Sequence, residues 1–441
     1  MGPFDVVIIG CGSAGLGAAG TLRASGKSIM VLEAADHIGG RTYCDNTSFP
    51  APFDFGGQWF HMATRPSLRG GLGSNNPLYD IAKSRGLAVP SDLNRRVFMP
   101  TSPPQNVLAS ALPVTLGLVA GAALWAGGKA ALFSHDPAHD VSLAAASAGL
   151  KGQPRYDQCW GALVTEHGAE LDRVSCLDVF NLAMTANLPV ITPSWDNHLI
   201  PSGMGNFIAT FAEGVPITLN APVKSIGWGG KDGVAVETSA GIVRARAAIV
   251  TVSVGVLSSG TLAFDPALPD RHRRALAGLE MGHTAKIGLL FDRDVFIGLD
   301  ANTIVLPEDN RRSQPLVQTK AWGHNMAIVI IGGDEVADME EKGHLVDYAK
   351  EQIAEMFGNE AKNAITKTVA SSWNTNPWVR GGYSSALPGG VPGRMVFAEE
   401  PLADRVFFAG EATSKLQHSS IHGAYLSGQD AAERVLKVLS A

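Results

Sequence analysis

The chain predicts an α/β protein wound on a buried parallel sheet. Three observations carry this. Residues 5–9 (DVVII) are an unbroken apolar run, as in a strand covered on both faces. The glycine turn Gly10-Cys11-Gly12-Ser13-Ala14-Gly15 follows at once and leads into a helical stretch from Leu16 that stops at Gly26. A second strand-like run, KSIMVLE, then ends on an acid, Glu33. Strand, glycine turn, helix, strand and acid in this order and spacing predict a Rossmann-type βαβ unit for a dinucleotide.

Each part has a physical reason. Gly10 and Gly12 let backbone approach a pyrophosphate, with Ser13 and Ala14 beside them at the start of the helix. Gly15 lets helix and strand pack closely, and the helix N-terminus favours negative charge. Glu33, with Ala34 next to it, is placed to accept hydrogen bonds from both ribose hydroxyls, which disfavours a 2′-phosphate. The alternative is a glycine-rich turn in an ordinary α/β domain.

Composition bounds the rest. The 441 residues suffice for two or three domains, and 50 glycines point to many tight turns and close backbone approaches. The net charge of −6, without a basic stripe, argues against nucleic acid as a partner. The four cysteines, Cys11, Cys44, Cys159 and Cys176, form no CxxC pair, so neither a metal site nor a disulfide framework is expected. With no leader ahead of the first strand and no peroxisomal address, a cytoplasmic protein is expected. The uncharged stretch 107–128 approaches membrane-span length. Its Ala/Gly content and Pro113 favour a buried or interface helix or a channel lip over a span, and a homodimer contact there is open.

Downstream of Glu33 come ADHIGGRTYC, with Gly39-Gly40-Arg41, and FDFGGQWFH at 53–61. Near the C-terminus stands RVFFAGEATSKLQHSSIHGAYLSG. These segments resemble the flavin amine oxidases, which include monoamine oxidases, polyamine oxidases and histone lysine demethylases. NHLIPSGMGNF, AIVTVSVGVLSSG, MGHTAKIGLLFD and SSWNTNPWVRGGYSSALPG extend the resemblance over nearly the whole chain. Ser253 stands where proline is common.

The resemblance implies the amine oxidase/p-hydroxybenzoate hydroxylase-like fold. Its Rossmann-type FAD domain would be assembled from 1–80, 200–283 and 392–441, with a discontinuous α+β substrate domain from 81–199 and 284–391. It implies FAD held by the glycine turn, Gly40, Arg41, Gly57, Gln58, Trp59, Trp373, Gly410 and Glu411, with Val223 meeting the adenine through its backbone. The helix beginning near Ile421 would aim its positive end at the flavin, where reduction puts negative charge. Gly423 and Ala424 would be small because the ring lies against them. Gly382 stands where monoamine oxidases carry the flavin-binding cysteine, which implies non-covalent FAD.

Lys286 would hold a water near the flavin, and Tyr383 would form one aromatic wall for an amine. The second wall is a tyrosine in monoamine oxidases and Ser420 here. That serine and His61 resemble the polyamine oxidase branch. His61 is also readable as a hydrogen-bonded core histidine, and His422 as a group ordering the helix start. Glu166, Glu170, Asp178 and Asp196 are candidates for an acidic channel mouth, a solvated helix face being the alternative. The implied reaction is oxidation of a small-molecule amine to an imine, with dioxygen reduced to hydrogen peroxide and no metal.

Rival readings are an L-amino-acid oxidase, needing a carboxylate-binding arginine (Arg65, Arg69 or Arg380), a flavin desaturase, and a non-catalytic FAD-binding redox module.

Overall fold

The computed structural model describes residues 4–63, 74–92, 96–99, 139–151, 154–185, 197–230, 233–307 and 312–440. The stretch 107–128 lies outside them, as do Arg65, Arg69 and Asp196. Among the described residues, no helix is long and apolar enough to cross a membrane.

The apolar run forms the strand Phe4–Ile9, at the centre of an eight-stranded sheet. It pairs in parallel with Ile29–Leu32 on one side and Gly241–Val250 on the other. Val406–Phe408 joins Gly241–Val250 in parallel, and Ile217–Thr218 extends the opposite edge. The antiparallel strands Val234–Thr238 and Val223–Gly227 complete the side beyond Gly241–Val250, with Ala263–Asp265 at the edge. Val6, Val7 and Ile8 are fully buried because both faces of the sheet are covered.

The first helix spans Ser13–Ala24, three residues earlier than the apolar pattern predicted. Gly12 is the extended residue before it, so the glycine turn already supplies the helix start. This helix packs along the C-terminal helix Ile421–Ser440, and both backbones rely on glycine at the contact. A Cβ at Gly17 would lie 2.4 Å from the Tyr425 carbonyl oxygen, and one at Gly428 only 1.9 Å from that of Ala14. The end of the chain is thereby seated beside the glycine turn.

A second, six-stranded sheet runs in the order Ile365–Ala370, Thr284–Phe291, Met326–Gly332, Leu316–Thr319, Thr303–Pro307, Arg96–Met99. The helix Leu345–Phe357 covers it, burying Ile287, Leu289, Val329 and Ile353 in one core. The first sheet thus takes its strands from 4–32, 217–265 and 406–408, and the second from 96–99 and 284–370. On that distribution we propose the discontinuous two-domain division stated above.

Two glycine substitutions in the paired helices are expected to act oppositely. Gly428→Ala drives a methyl into Ala14 and lowers the urea midpoint, at a cost of about 1–3 kcal/mol. Gly20→Ala meets nothing within 4 Å and raises it by about 0.4–1 kcal/mol. Equal effects would show that the helices are not in this contact.

Candidate active site

The glycine turn folds against the sheet as the sequence requires. Gly10 has φ +105°, and a Cβ there would meet Thr251 Oγ1 at 2.4 Å. A Cβ on Gly15 would sit 2.0 Å from the Gly10 oxygen, so this glycine is fixed by the strand behind it. Gly12 differs. Its nearest neighbours would be the Gly39 oxygen at 3.7 Å and Gly40 Cα at 4.0 Å, so protein packing does not demand a glycine there. Gly39 bonds back to the turn through its N–H on the Cys11 carbonyl at 2.9 Å. Gly40 and Arg41 therefore run across the mouth of the turn. Gly410, at the end of Val406–Phe408, likewise has nothing within 4 Å of a Cβ position.

Glu33 is buried, and its carboxylate accepts from the backbone N–H of Cys11 at 2.6 Å and of Ala35 at 2.9 Å. Four acceptor positions against two protein bonds leave room for ribose hydroxyls. The Glu33 carbonyl also receives the Ala221 N–H at 2.8 Å, which brings the loop before Val223 to the same place. Ser13, at the first turn of its helix, is buried, and its Oγ has no hydrogen-bond partner among the described residues.

Arg41 reaches across to the C-terminal segment. Its Nη1 donates to the Gly382 carbonyl and to Glu411 Oε1, both at 2.8 Å. Glu411 Oε1 also accepts from Ser384 N at 3.0 Å, and Oε2 from Ser384 Oγ at 2.7 Å and Ser419 N at 2.9 Å. The resemblance implied a cofactor ligand at Glu411; its side chain takes four protein donors, from Arg41, Ser384 and Ser419. Burial alone would raise the Glu411 pKa. The charges of Arg41 and Arg394, with the Ser384 bond, outweigh that and hold it down at about 2.

Arg394 is fully buried and makes a fork on Asp178, from Nε at 2.8 Å and Nη2 at 2.7 Å. Its Nη1 donates to Ser384 Oγ at 2.7 Å. Asp178 is 1% exposed and also accepts from Ala386 N at 2.9 Å. It therefore cannot belong to an acidic channel mouth: an arginine and a backbone amide consume its charge inside the protein. Glu170 is also buried and pairs with Arg312 at 2.9 Å. Nothing in the sequence paired Arg394 with Asp178, 216 positions away, or Ser384 with Glu411, 27 positions away, because neither residue carries a local mark of its partner.

The aromatic and basic candidates surround the segment 54–61. Gly57 donates to the Arg41 carbonyl at 3.2 Å, and a Cβ there would strike Ile421 Cδ1 at 2.5 Å, so Gly57 and Ile421 do meet. Lys286 lies in Thr284–Phe291 and is 6% exposed. Its Nζ donates to Gln58 Oε1 and, at 3.4 Å, to the Asp54 carbonyl, and stands 5.0 Å from the centre of the Trp59 ring. The Gln58 side chain, expected on the cofactor, is instead bonded to Lys286 and to Gln318 Oε1 at 2.8 Å. Trp59 Nε1 donates to Asp92 Oδ2 at 2.8 Å, and Trp373 Nε1 to the Phe55 carbonyl at 3.1 Å. Tyr383 donates its hydroxyl to the Glu166 carbonyl. Each ring is thus pinned by its polar end.

The start of the last helix departs from expectation at Ser420 and Gly423. Ser420 Oγ donates to the Gln417 carbonyl at 2.6 Å and accepts the Gly423 N–H at 3.0 Å. It is a helix cap whose hydroxyl donates once and accepts once, so its proton is committed within the protein. Gly423 is small for a protein reason, since a Cβ would lie 1.8 Å from the Gln417 oxygen. His422 is buried and its Nε2 has no partner among the described residues, so it caps nothing through that atom. Burial presses its pKa down to about 3. His61 bonds through Nδ1 to Asn197 Oδ1 at 2.7 Å, and burial lowers its pKa too. Ser253 replaces the expected proline by capping Val254–Ser258, accepting from Val256 N at 3.1 Å.

These residues fit FAD. Gly12 and Gly40 face each other bare of side chains, Ser13 Oγ is a buried polar atom without a partner among the described residues, and a helix N-terminus stands behind it. Gly12→Ala is expected to lower FAD occupancy, read from flavin absorbance, and to move apoprotein stability by less than about 1 kcal/mol. A fully occupied variant would place the cofactor elsewhere. The acid network has a pH signature. Glu411 binds its proton more weakly folded than unfolded, so its stabilisation is complete above about 4.5 and is lost as pH falls towards 2. The urea midpoint is expected to fall across that window, and less steeply in Glu411→Gln; parallel slopes would remove Glu411 from the network.

Comparison with known proteins places this architecture. The profile of the family described as flavin containing amine oxidoreductase matches residues 13–436. A probable polyamine oxidase 4 of Arabidopsis thaliana is 28% identical over 97% of this chain and 86% of its own length. Lysine-specific histone demethylase 2 of Homo sapiens is 27% identical over 98% of this chain, which spans only 53% of that protein. A putrescine oxidase solved with putrescine bound superposes with a TM-score of 0.75 at 20% identity, over 100% of this chain and 99% of its own, and shows the same fold. The glycine cradle, the buried acid on the second strand and the family match across the sheet, the crossing helices and Lys286 make one assignment: the chain belongs to the flavin-containing amine oxidoreductases, and its cofactor is FAD.

Proposed function

We propose that this protein is an amine oxidase that takes a small amine to its imine, with non-covalent FAD and with dioxygen as the final acceptor. The observation that carries the reading is Lys286: a lysine buried in the second sheet, anchored on Gln58 and the Asp54 carbonyl, beside Trp59. Lysines are rarely buried without a partner acid, and Asp54 already spends its carboxylate on the N–H groups of Met204 and Gly205, both at 2.9 Å.

FAD, when bound, supplies the two-electron acceptor for hydride loss from the carbon that bears the nitrogen. The chain does the rest. Tyr383 and Trp373, fixed at their polar ends, offer ring faces that orient an amine and exclude water from it. Burial pushes the Lys286 amine down from about 10.5 to about 7, so above neutral pH it is uncharged and can accept a hydrogen bond from a water. That water is suited to hydrolyse the imine. The balanced reaction consumes amine, dioxygen and water, and yields a carbonyl compound, ammonia or a smaller amine, and hydrogen peroxide.

Non-covalent attachment is supported at Gly382, which has no thiol to bond a flavin and where a Cβ would displace Thr284 Oγ1, 2.3 Å away. A substrate nearer polyamines than aryl-alkylamines is supported by His61, whose Nδ1 is held by Asn197 and whose ring centre lies 6.3 Å from that of Trp59. It draws no support from Asp178, which is internal.

A panel of amines and amino acids, with peroxide release and anaerobic flavin bleaching read together, tests the reading. Bleaching and peroxide with a di- or polyamine are expected; an oxidised flavin with every amine would overturn it. Lys286→Met is expected to slow turnover by roughly 10²–10⁴-fold with FAD retained, and to erase a limb of the pH–rate profile near pH 7. Unchanged turnover would remove Lys286 from the chemistry.

A further inference from the structure

Lys286 Nζ is the first member of a chain of buried side chains that leads away from the candidate site. Its proton goes to Gln58 Oε1. Gln58 Nε2 donates to Gln318 Oε1 at 2.8 Å, and Gln318 Nε2 to Asn302 Oδ1 at 2.9 Å. The same Asn302 oxygen accepts the backbone N–H of Trp322 at 2.9 Å. Gln58 and Gln318 are each 2% exposed, so bulk water cannot substitute for a lost partner.

The order of this chain follows from its far end. A carboxamide can turn over and exchange its oxygen for its NH2, but a backbone N–H cannot. Trp322 N–H therefore fixes Oδ1 of Asn302, Asn302 fixes the NH2 of Gln318, and Gln318 fixes the NH2 of Gln58. Asn302 Oδ1 faces Trp322 and Gln318, the Gln318 oxygen faces Gln58, and the Gln58 oxygen faces Lys286. Turning Gln58 over would set its NH2 against Lys286 Nζ and its oxygen against Gln318 Oε1 in a dry interior, at a cost of about 1–3 kcal/mol for each bond left unmade. The terminus is itself held in costly backbone: Asn302, Lys320 and Trp322 all have left-handed φ, at 59°, 45° and 56°.

We propose that Gln318 and Asn302 are positioning residues for Lys286: the relay Trp322–Asn302–Gln318–Gln58 holds an amide oxygen on Nζ and so fixes which tetrahedral position of Nζ is left for exchangeable proton or lone pair. Cε, Gln58 Oε1 and the Asp54 carbonyl take three positions. The fourth carries the third proton at low pH and the lone pair at high pH. An oxygen at Gln58 stabilises the ammonium, whereas an NH2 there would oppose it. The other groups facing Lys286 are the carboxylate of Asp54, the thiol of Cys44, the imidazole of His61 and the Trp59 ring. None of them bonds to Gln318 or Asn302 in the relay. The catalytic meaning of this arrangement rests on the role proposed above for Lys286; the positioning itself does not.

The test is the pH dependence of unfolding of the full chain, which needs no substrate. Lys286 is read as the difference between the parent and Lys286→Met, measured from pH 6 to 11. Stability of the parent relative to Lys286→Met should rise with pH from about 7, where the folded chain loses a proton that the unfolded chain keeps to about 10.5. In a Gln318→Leu background the onset is expected about one pH unit lower, because the oriented oxygen is lost. Asn302→Asp keeps an acceptor for both donors and suits the left-handed backbone, so its onset should stay in place or move up. Should Gln318→Leu not fold, Asn302→Gly removes the same anchor without straining φ and is expected to lower the onset likewise. A structural role for Gln318 would shift the unfolding midpoint at every pH equally and leave the onset where it is, and that result overturns the relay. Lys286→Met with unchanged amine turnover but an intact, Gln318-dependent onset would instead overturn the catalytic reading and leave the relay standing.

Discussion

Two buried carboxylates, Asp178 and Glu411, hold together segments that the chain supplies from far apart. Glu411 gathers Arg41, Ser384 and Ser419; Asp178 gathers Arg394 and Ala386, and Ser384 Oγ joins the two by accepting from Arg394 and donating to Glu411. A buried ion pair of this kind adds little net stability over an apolar replacement, because removing both charges from water offsets their attraction. Its effect is on specificity of arrangement. An unpaired charge in this interior would be costly, so every alternative packing of the 41, 178, 384, 394 and 411 segments is penalised at once.

The candidate site is assembled on that junction. Arg41 Nη1 donates both to Glu411 and to the Gly382 carbonyl, so the bend carrying Tyr383 and the segment crossing the glycine turn share one anchor. The run 54–61 then meets Arg41 and Ile421 at Gly57 and Lys286 at Gln58. Three aromatic residues are tied at their polar atoms, so their rings are held without apolar packing on every side. Lys286 is the exception to the charge logic of the junction: where Glu411 has four donors, Lys286 has an amide oxygen and a carbonyl, and burial drives it towards its neutral form.

The glycines separate what local pattern can and cannot say. Gly10, Gly12 and Gly15 are in sequence the same motif, and it correctly announced strand, helix and dinucleotide cradle. The reasons differ between them: Gly15 is compelled by the strand behind it, while Gly12 is compelled by nothing in the protein and leaves space beside the cradle. Gly423, read as making way for a ring, makes way for the Gln417 carbonyl. Ser420 fails in the same manner, since a serine before a helix caps it more readily than it lines a cage. Proximity to a site along the chain was taken for exposure to it, and the short-range demands of the helix start decided otherwise.

The sequence by itself determined the parallel βαβ core and the glycine turn with its acid, because apolar runs, glycine spacing and turn residues act over a few bonds; Lys286, Trp373 and Tyr383 were singled out by family resemblance alone. Only the tertiary structure decided that Asp178 is an internal counter-ion of Arg394, that Glu411 serves Arg41, and that Gln58 belongs to Lys286 and Gln318. Those pairings join residues up to 370 positions apart, and an acid, an arginine or a glutamine carries no local mark of its partner. What selects the partner is the cost of a buried polar group left unmatched, which exists only once the chain has closed around it.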